Sequence, residues 1–164
     1  MTDFYGTSDG FLSYCDARDR SVSHSDAKIE AALLVASEWI DGAYRSMFYG
    51  LKVGGRDQVR EWPRTGVMDI YGYSVGTDVP NEIVRATYEA AFREMEEAGS
   101  LVPDFTPSKY KRVSIDGAIS VEYSSAANAL DLQPDILVID RILAPILWQS
   151  VNAGSSLTGA SVLG

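Results

Sequence analysis

Apolar residues recur at spacings of three and four through Ile29, Leu33, Ala36, Ile40, Tyr44 and Met47, the stripe of an amphipathic helix with one buried face. Ser23 and Asp26 fit the S-x-x-D arrangement that opens such a helix: the hydroxyl accepts from a free backbone N–H and the carboxylate faces the positive helix end. A shorter helix is expected upstream, in DGFLSYCDARDR. Asp78 and Pro80 announce a second long helix, with Ile83, Val84, Tyr88, Ala91 and Met95 as its buried stripe and Gly99 suited to the left-handed residue past its end.

In KYKRVSIDGAISVEYS the period changes to two, which predicts a β-hairpin over about 109–124 with Asp116-Gly117 at its turn. A two-residue loop would send Ile119, Val121 and Tyr123 to the face opposite Val113 and Ile115; a three-residue loop keeps all five together and is the register expected. A last helix is predicted from Pro134 to Gln149, with Ile136, Ile139, Leu143, Ile146 and Leu147 inward and Pro145 bending it by removing a ladder hydrogen bond.

Between the two long helices lies GLKVGGRDQVREWPRTGVMDIYGYSVGTDVP, rich in glycine and framed by proline. Connections of this length are uncommon in compact domains and tend to be functional or to carry structure of their own. Trp62 and Tyr71 are expected to pin it to the core. The pattern as a whole predicts a mainly α domain over 1–149: a small bundle of three to four helices with a long inter-helix loop and one β-hairpin. The remaining residues, 150–164, read as a flexible C-terminal arm. Its Val151, Leu157, Val162 and Leu163 are more apolar than a linker requires and suit an arm that orders on a partner.

A chain of 164 residues, 46% of them hydrophobic, can close one sizeable core. The formal charge of −9 sets its surface against nucleic-acid phosphates unless the few basic residues gather on one face. Cys15, the only cysteine, has no internal disulfide partner and reads as a small buried hydrophobe. The first residues, MTDFYGTSDG, lack the features of a secretory signal, and the longest near-apolar stretch, ILVIDRILAPILW, is broken by Asp140, Arg141 and Pro145. The expectation is a protein of reducing cytoplasm with no membrane segment.

Gly72-Tyr73-Ser74-Val75-Gly76 matches the G-x-S-x-G spacing of a hydrolase nucleophile elbow. The only histidine, His24, precedes it by some fifty positions, whereas that hydrolase fold runs serine, acid, histidine. A triad of Asp19, His24 and Ser74 is conceivable in another order, but more loop, not a helix, follows Ser74. Ser74 is read as a turn serine between permissive glycines and His24 as a helix-start residue. One Cys and one His supply no metal cluster, and glycines 50, 54 and 55 form no phosphate-cradling motif. No catalytic, cofactor-binding or metal-binding residue is therefore assigned. Lys109, Lys111 and Arg112 flank Tyr110 and could support base stacking; an edge strand whose lysines discourage aggregation is the preferred reading. Trp39, Trp62 and Trp148 are read as core anchors. Glu94, Glu96 and Glu97 lie at the negative end of their helix and are expected to be solvated or to meet a basic surface on a neighbouring subunit.

KIEAALLVASEWIDGAYR, then GRDQVREWPRTGVMDIYGYSVGTDVPNEIVRATYEAAF, then VSIDGAISVEY and IDRILAPIL form an order of segments that resembles the head-to-tail connector (adaptor, neck) proteins of tailed bacteriophages. That group is also labelled DnaT-like single-stranded-DNA-binding protein. The resemblance runs from Phe11 to Trp148 and is most specific from Gln58 to Pro63, through Arg64, Gly66 and Val67, then at Tyr73 and Val79-Pro80. It implies a non-enzymatic virion protein without cofactors, made in the host cytoplasm and assembling with itself as a dodecameric ring beneath the portal protein. It further implies a downstream neck or tail protein as partner, and double-stranded DNA passing through without specific binding. The portal contact would fall to Trp148, Val151, Leu157, Val162 and Leu163, and a contact between subunits to Lys109, Lys111 and Arg112 against Glu94, Glu96 and Glu97. Single-stranded-DNA binding is the alternative function. The sequence departs from the family pattern in a shortened N-terminal helix region and in the tail after Trp148.

Overall fold

The computed structural model describes residues 3–102 and 136–147. The hairpin expected at 109–124, Trp148 and the arm at 150–164 lie outside those residues. Four helices are the principal elements of what is described: α1 (Ser8–Asp16), α2 (Asp26–Tyr44), α3 (Asn81–Glu96) and α4 (Leu137–Leu143). Two short strands, β1 (Leu51–Lys52) and β2 (Arg64–Thr65), form an antiparallel pair with Leu51 opposite Thr65 and Lys52 opposite Arg64. The molecule is thus the mainly helical bundle the pattern predicts, and this small sheet inside the long connection is an addition to it.

α3 lies between α2 and α4, and α1 leans on both α2 and α3. The α1 helix begins where Thr7 Oγ1 accepts from the Gly10 N–H at 3.0 Å, and it buries Phe11 and Cys15, four positions apart on one face. Its approach to α3 is close because Gly10 has no side chain: a Cβ there would sit 2.3 Å from the Tyr88 hydroxyl. That hydroxyl in turn accepts from Thr7 N–H at 3.0 Å, tying the N-terminal segment to α3.

α2 buries Ile29, Leu33, Ala36, Ile40 and Tyr44 as its stripe predicts, and Trp39 with them as a core anchor. Met47 departs from it. A 3-10 turn at Arg45–Met47 tightens the chain after Tyr44, shifts the phase of the face and leaves Met47 exposed. The start also differs from the expected capping arrangement: Ser25 occupies the cap position without a side-chain bond, and Asp26 serves only through its charge in the first turn.

α3 starts after Pro80, whose carbonyl accepts from Ile83 and Val84, and Asp78 does not cap it. Its buried set is wider than the predicted stripe, because α2 and α4 cover it from two sides: Ala86, Thr87, Glu89 and Ala90 join Ile83, Tyr88 and Ala91, while Val84 and Met95 pack at the margin. Gly99 takes the left-handed conformation expected of it, with φ of +82°.

All five apolar residues assigned to the last helix are buried, Ile139 and Leu143 completely. Pro145 does not bend a continuous helix, however. The α-helix ends at Leu143 and the chain tightens into a 3-10 turn at Ala144–Ile146, which accommodates the missing N–H and the fixed φ of proline. Tyr44 Oη donates to the Asp140 carboxylate and joins the end of α2 to α4.

Candidate functional site

The long connection from Gly50 to Gly76 is an ordered double loop whose underside is polar and buried. Gly50 turns the chain into β1 at φ +76°, with the Thr65 carbonyl oxygen 2.4 Å from where a Cβ would be, so only glycine fits both the conformation and the space. The Gln58 side chain clamps the far end: Oε1 accepts from Gly54 N–H at 2.9 Å, and Nε2 donates to the carbonyls of Arg60 and Pro63 at 2.9 and 3.0 Å. Arg64, buried beneath the sheet, donates to the carbonyls of Tyr49, Gly50 and Glu61 and to the Glu61 carboxylate at 3.0 Å. Such a fixed fork closes both ends of the loop with one side chain.

Glu61 is the second hub. Its buried carboxylate faces Arg45 at 3.1 Å, Lys52 at 3.7 Å and Arg64 at 3.0 Å. Tyr5 pins the loop from below: its hydroxyl donates to Asp41 Oδ1 at 2.6 Å and accepts from Trp62 N–H at 3.0 Å, while its own N–H donates to Ser37 Oγ at 2.9 Å. Burial first, and then the neighbouring Asp41 charge, push the Tyr5 phenol well above its ordinary range. Burial also raises the Asp41 carboxyl, although Tyr5 and Arg60 pull against it. Trp62 is 2% exposed and meets the edge of Phe48 at 5.7 Å between ring centroids, so it anchors the loop as the sequence predicts.

The second part of the loop is a tight hairpin, with Met68 bridged to Ser74. Asp69 shapes its tip, one carboxylate oxygen accepting from the Tyr71 and Tyr73 N–H groups at 2.9 and 2.8 Å. Its base is held by Val67 in the core, by Met68 N–H donating to Tyr49 Oη at 2.7 Å and by Ile70 N–H donating to the Pro145 carbonyl at 2.9 Å. Here Tyr71 overturns an expectation. It is 76% exposed and pins nothing; the backbone and the Asp69 side chain hold the hairpin instead.

What this scaffold presents outward is apolar. Of the twelve large hydrophobic residues exposed among the described residues, seven fall within 51–73: Leu51, Val53, Val59, Met68, Ile70, Tyr71 and Tyr73. Exposed apolar side chains gathered in one internally bonded segment make this loop the candidate interaction surface, since contiguous apolar patches, unlike scattered single hydrophobes, call for a partner.

The candidate chemistry does not converge. Ser74 Oγ accepts from Gly76 N–H at 3.3 Å, and His24 is exposed with Nδ1 3.5 Å from Lys28 Nζ; no hydrogen bond joins the two among the described residues. Among the described residues no group of three or more His, Cys, Asp and Glu could hold a metal ion, and no helix is long and apolar enough to cross a membrane. Cys15 is buried, and that burial raises its thiol.

A second polar cluster is structural. Glu89, 3% exposed on α3, accepts from Tyr14 Oη at 2.8 Å and Arg20 at 3.0 Å and lies 3.6 Å from Arg18. Arg18 stacks over Tyr14 and Arg20 over Phe92. Burial, then the Glu89 hydrogen bond, push Tyr14 up to about 12. Of the glutamates expected at a subunit contact, Glu94 turns back on its own chain, accepting from Gly99 N–H at 2.8 Å. Glu96 and Glu97 border an open groove of about 330 Å³ that Arg20 and Arg93 share.

A family model described as "Putative DnaT-like ssDNA binding protein" matches residues 2–162, and the chain belongs to that family. Its description names single-stranded-DNA binding, the alternative in the sequence reading, and names no connector. No curated protein and no solved structure matches the chain.

Proposed function

We propose that this member of the DnaT-like family is a non-enzymatic assembly subunit, a connector that forms a ring with its own copies and joins a bacteriophage portal to the neck or tail. The observation that carries the reading is the apolar crest over residues 51–73. Seven solvent-facing hydrophobic side chains sit on a loop fixed by Arg64, Glu61, Gln58 and Tyr5, so this surface is built to meet another protein surface. The −9 charge suits a passage through which duplex DNA slides without being held. Portal docking by Trp148 and the arm residues Val151, Leu157, Val162 and Leu163, and subunit contacts by Lys109, Lys111 and Arg112, belong to the same proposal.

The family description supports a second reading, single-stranded-DNA binding. Tyr71 and Tyr73 are the two large aromatic residues exposed to solvent among the described residues, and such rings stack on bases. Two measurements separate the readings. Sedimentation and electron microscopy of the purified protein, alone and with portal protein, should show rings or a portal complex. Fluorescence anisotropy with labelled single-stranded DNA should show no affinity that falls steeply with salt. A chain that stays solitary beside portal, and whose salt-sensitive DNA binding disappears in a Tyr71→Ala/Tyr73→Ala variant, would establish the second reading in place of the first.

A further inference from the structure

We infer that residues 51–59 are the donor half of a head-to-tail contact between copies of this chain, and that the acceptor is the acidic cleft between the 68–74 hairpin and the start of α3. The inference rests on the assembly reading and names the surfaces that carry it.

The donor is chemically one-sided. Residues 45–65 hold Arg45, Lys52, Arg56, Arg60 and Arg64 against only Asp57 and Glu61, a net +3 within a chain of net −9. Arg60 is neutralised by the buried Asp41 and the exposed Glu38, at 3.5 Å each. Arg45, Lys52 and Arg64 share the single carboxylate of Glu61, which leaves positive charge uncompensated there. Arg56 is exposed on the 3-10 turn Gly55–Asp57 and forms no ion pair among the described residues. Beside these cations stand Leu51 and Val59, 73% and 75% exposed, and Val53.

A surface of this composition does not pair with its own copy across a two-fold axis, since Arg45, Lys52 and Arg56 would face like charges. It needs a partner surface that is acidic, free of basic residues and able to meet some apolar side chains. The same chain carries one: an open, mostly polar cleft of about 300 Å³ lined by Asp69, Asp78 and Glu82 together with Val75 and Val79, with no basic residue in its lining. Asp69 is engaged with the hairpin amides, whereas Asp78 is exposed at the rim. The groove beside Glu96 and Glu97 is a poorer match, because Arg20 and Arg93 line it too. Donor and acceptor are different surfaces, so the contact is heterologous, and its repetition builds a ring or a filament and never a closed two-fold dimer.

The test is a charge-reversal set at exposed positions, read by sedimentation velocity and electron microscopy. Arg56→Glu and Asp78→Lys, each alone, should weaken assembly by about ten-fold or more. An equimolar mixture of the two should assemble again in strict alternation, since the reversed donor of one variant fits the reversed acceptor of the other and the two unchanged surfaces fit as in the wild type. The double variant should assemble again. Val59→Ser, which changes no charge, should weaken the same contact, and circular dichroism of all variants should match the wild type. Wild-type rings that both single variants form equally well, or closed two-fold dimers, would overturn the inference and leave the assembly reading standing. A wild-type chain that remains monomeric at high concentration and beside portal overturns the assembly reading itself.

Discussion

Tyr5→Phe isolates the polar link between the N-terminal segment and the long loop, because the ring and its burial are retained and only the hydroxyl is lost. That hydroxyl makes a 2.6 Å bond to Asp41 and receives a 3.0 Å bond from Trp62 N–H, at a residue 3% exposed. A bond to an ionised acceptor contributes about 1.5–3 kcal/mol, and a buried amide left without a partner costs about 1–3 kcal/mol. Arg60 stays 3.5 Å from Asp41 and offsets part of the first loss. The expected destabilisation is therefore about 2–4 kcal/mol, a large share of a typical domain's 5–15 kcal/mol. Urea denaturation measures the total. Amide exchange locates it: Trp62 and its neighbours over 50–65 should lose protection while the α3 amides change only with global stability.

The same variant carries a pH signature. Burial raises the Asp41 carboxyl in the folded chain, so the folded state keeps that proton to higher pH than the unfolded state does. The protonated form therefore contributes stability below the unfolded value, and the contribution is lost as pH rises through the interval up to the folded value. Tyr5 stabilises the ionised carboxylate, so the cost of its removal should shrink as pH falls and Asp41 takes up its proton. A loss below about 0.5 kcal/mol at neutral pH, with Trp62 protection unchanged, would refute the pinning argument.

Trp62→Ala should cost about 3–5 kcal/mol in denaturant melts, the range for a large buried aromatic. Gly50→Ala should destabilise the β1–β2 pair by about 1–3 kcal/mol through its positive φ alone, with more from the Thr65 carbonyl, and should open the loop to limited proteolysis. Ser74→Ala should change stability by no more than about 0.5 kcal/mol and abolish no function, since its hydroxyl is exposed and only accepts from Gly76. At alkaline pH the folded chain holds the Tyr14 proton up to about 12, above the ordinary phenol value. The unfolded chain therefore releases it first, and stability should fall as pH rises through that interval, followed by phenolate absorbance.

The helices were legible because periodicity reports burial directly. Ile29, Leu33, Ala36, Ile40, Ile139 and Leu143 recur at helical spacing and all lie in the core. Helix ends were less legible. Met47 and Pro145 sit where the chain tightens to 3-10, a change of pitch that no apolar stripe announces. The small sheet was missed for a related reason: two residues on each side give no alternation to detect, and the pairing is enforced by Arg64, Gln58 and Gly50. Tyr71 reads as an anchor because it is an aromatic in a glycine-rich loop, whereas Asp69 fixes the hairpin in its place.

The candidate surface was partly written in the chain. Gln58, Trp62, Pro63, Arg64, Gly66 and Val67 all lie in the stretch that carried the family resemblance, and the structure gives each of the first four a fixed place: the clamp, the anchor, the carbonyl it binds and the hub. What composition concealed is the sign of the charge. A whole-chain value of −9 hides a basic island at 45–65, and three of its cations converge on one buried carboxylate that only folding brings to them. Segmental charge, not net charge, decides which surfaces attract. On the proposed contact, the basic segment 51–59 and the acidic cleft beside Asp78 are the two halves of one interface carried on the same chain. A heterologous contact of that kind, if the charge-reversal set bears it out, fixes one relative orientation that repeats from copy to copy.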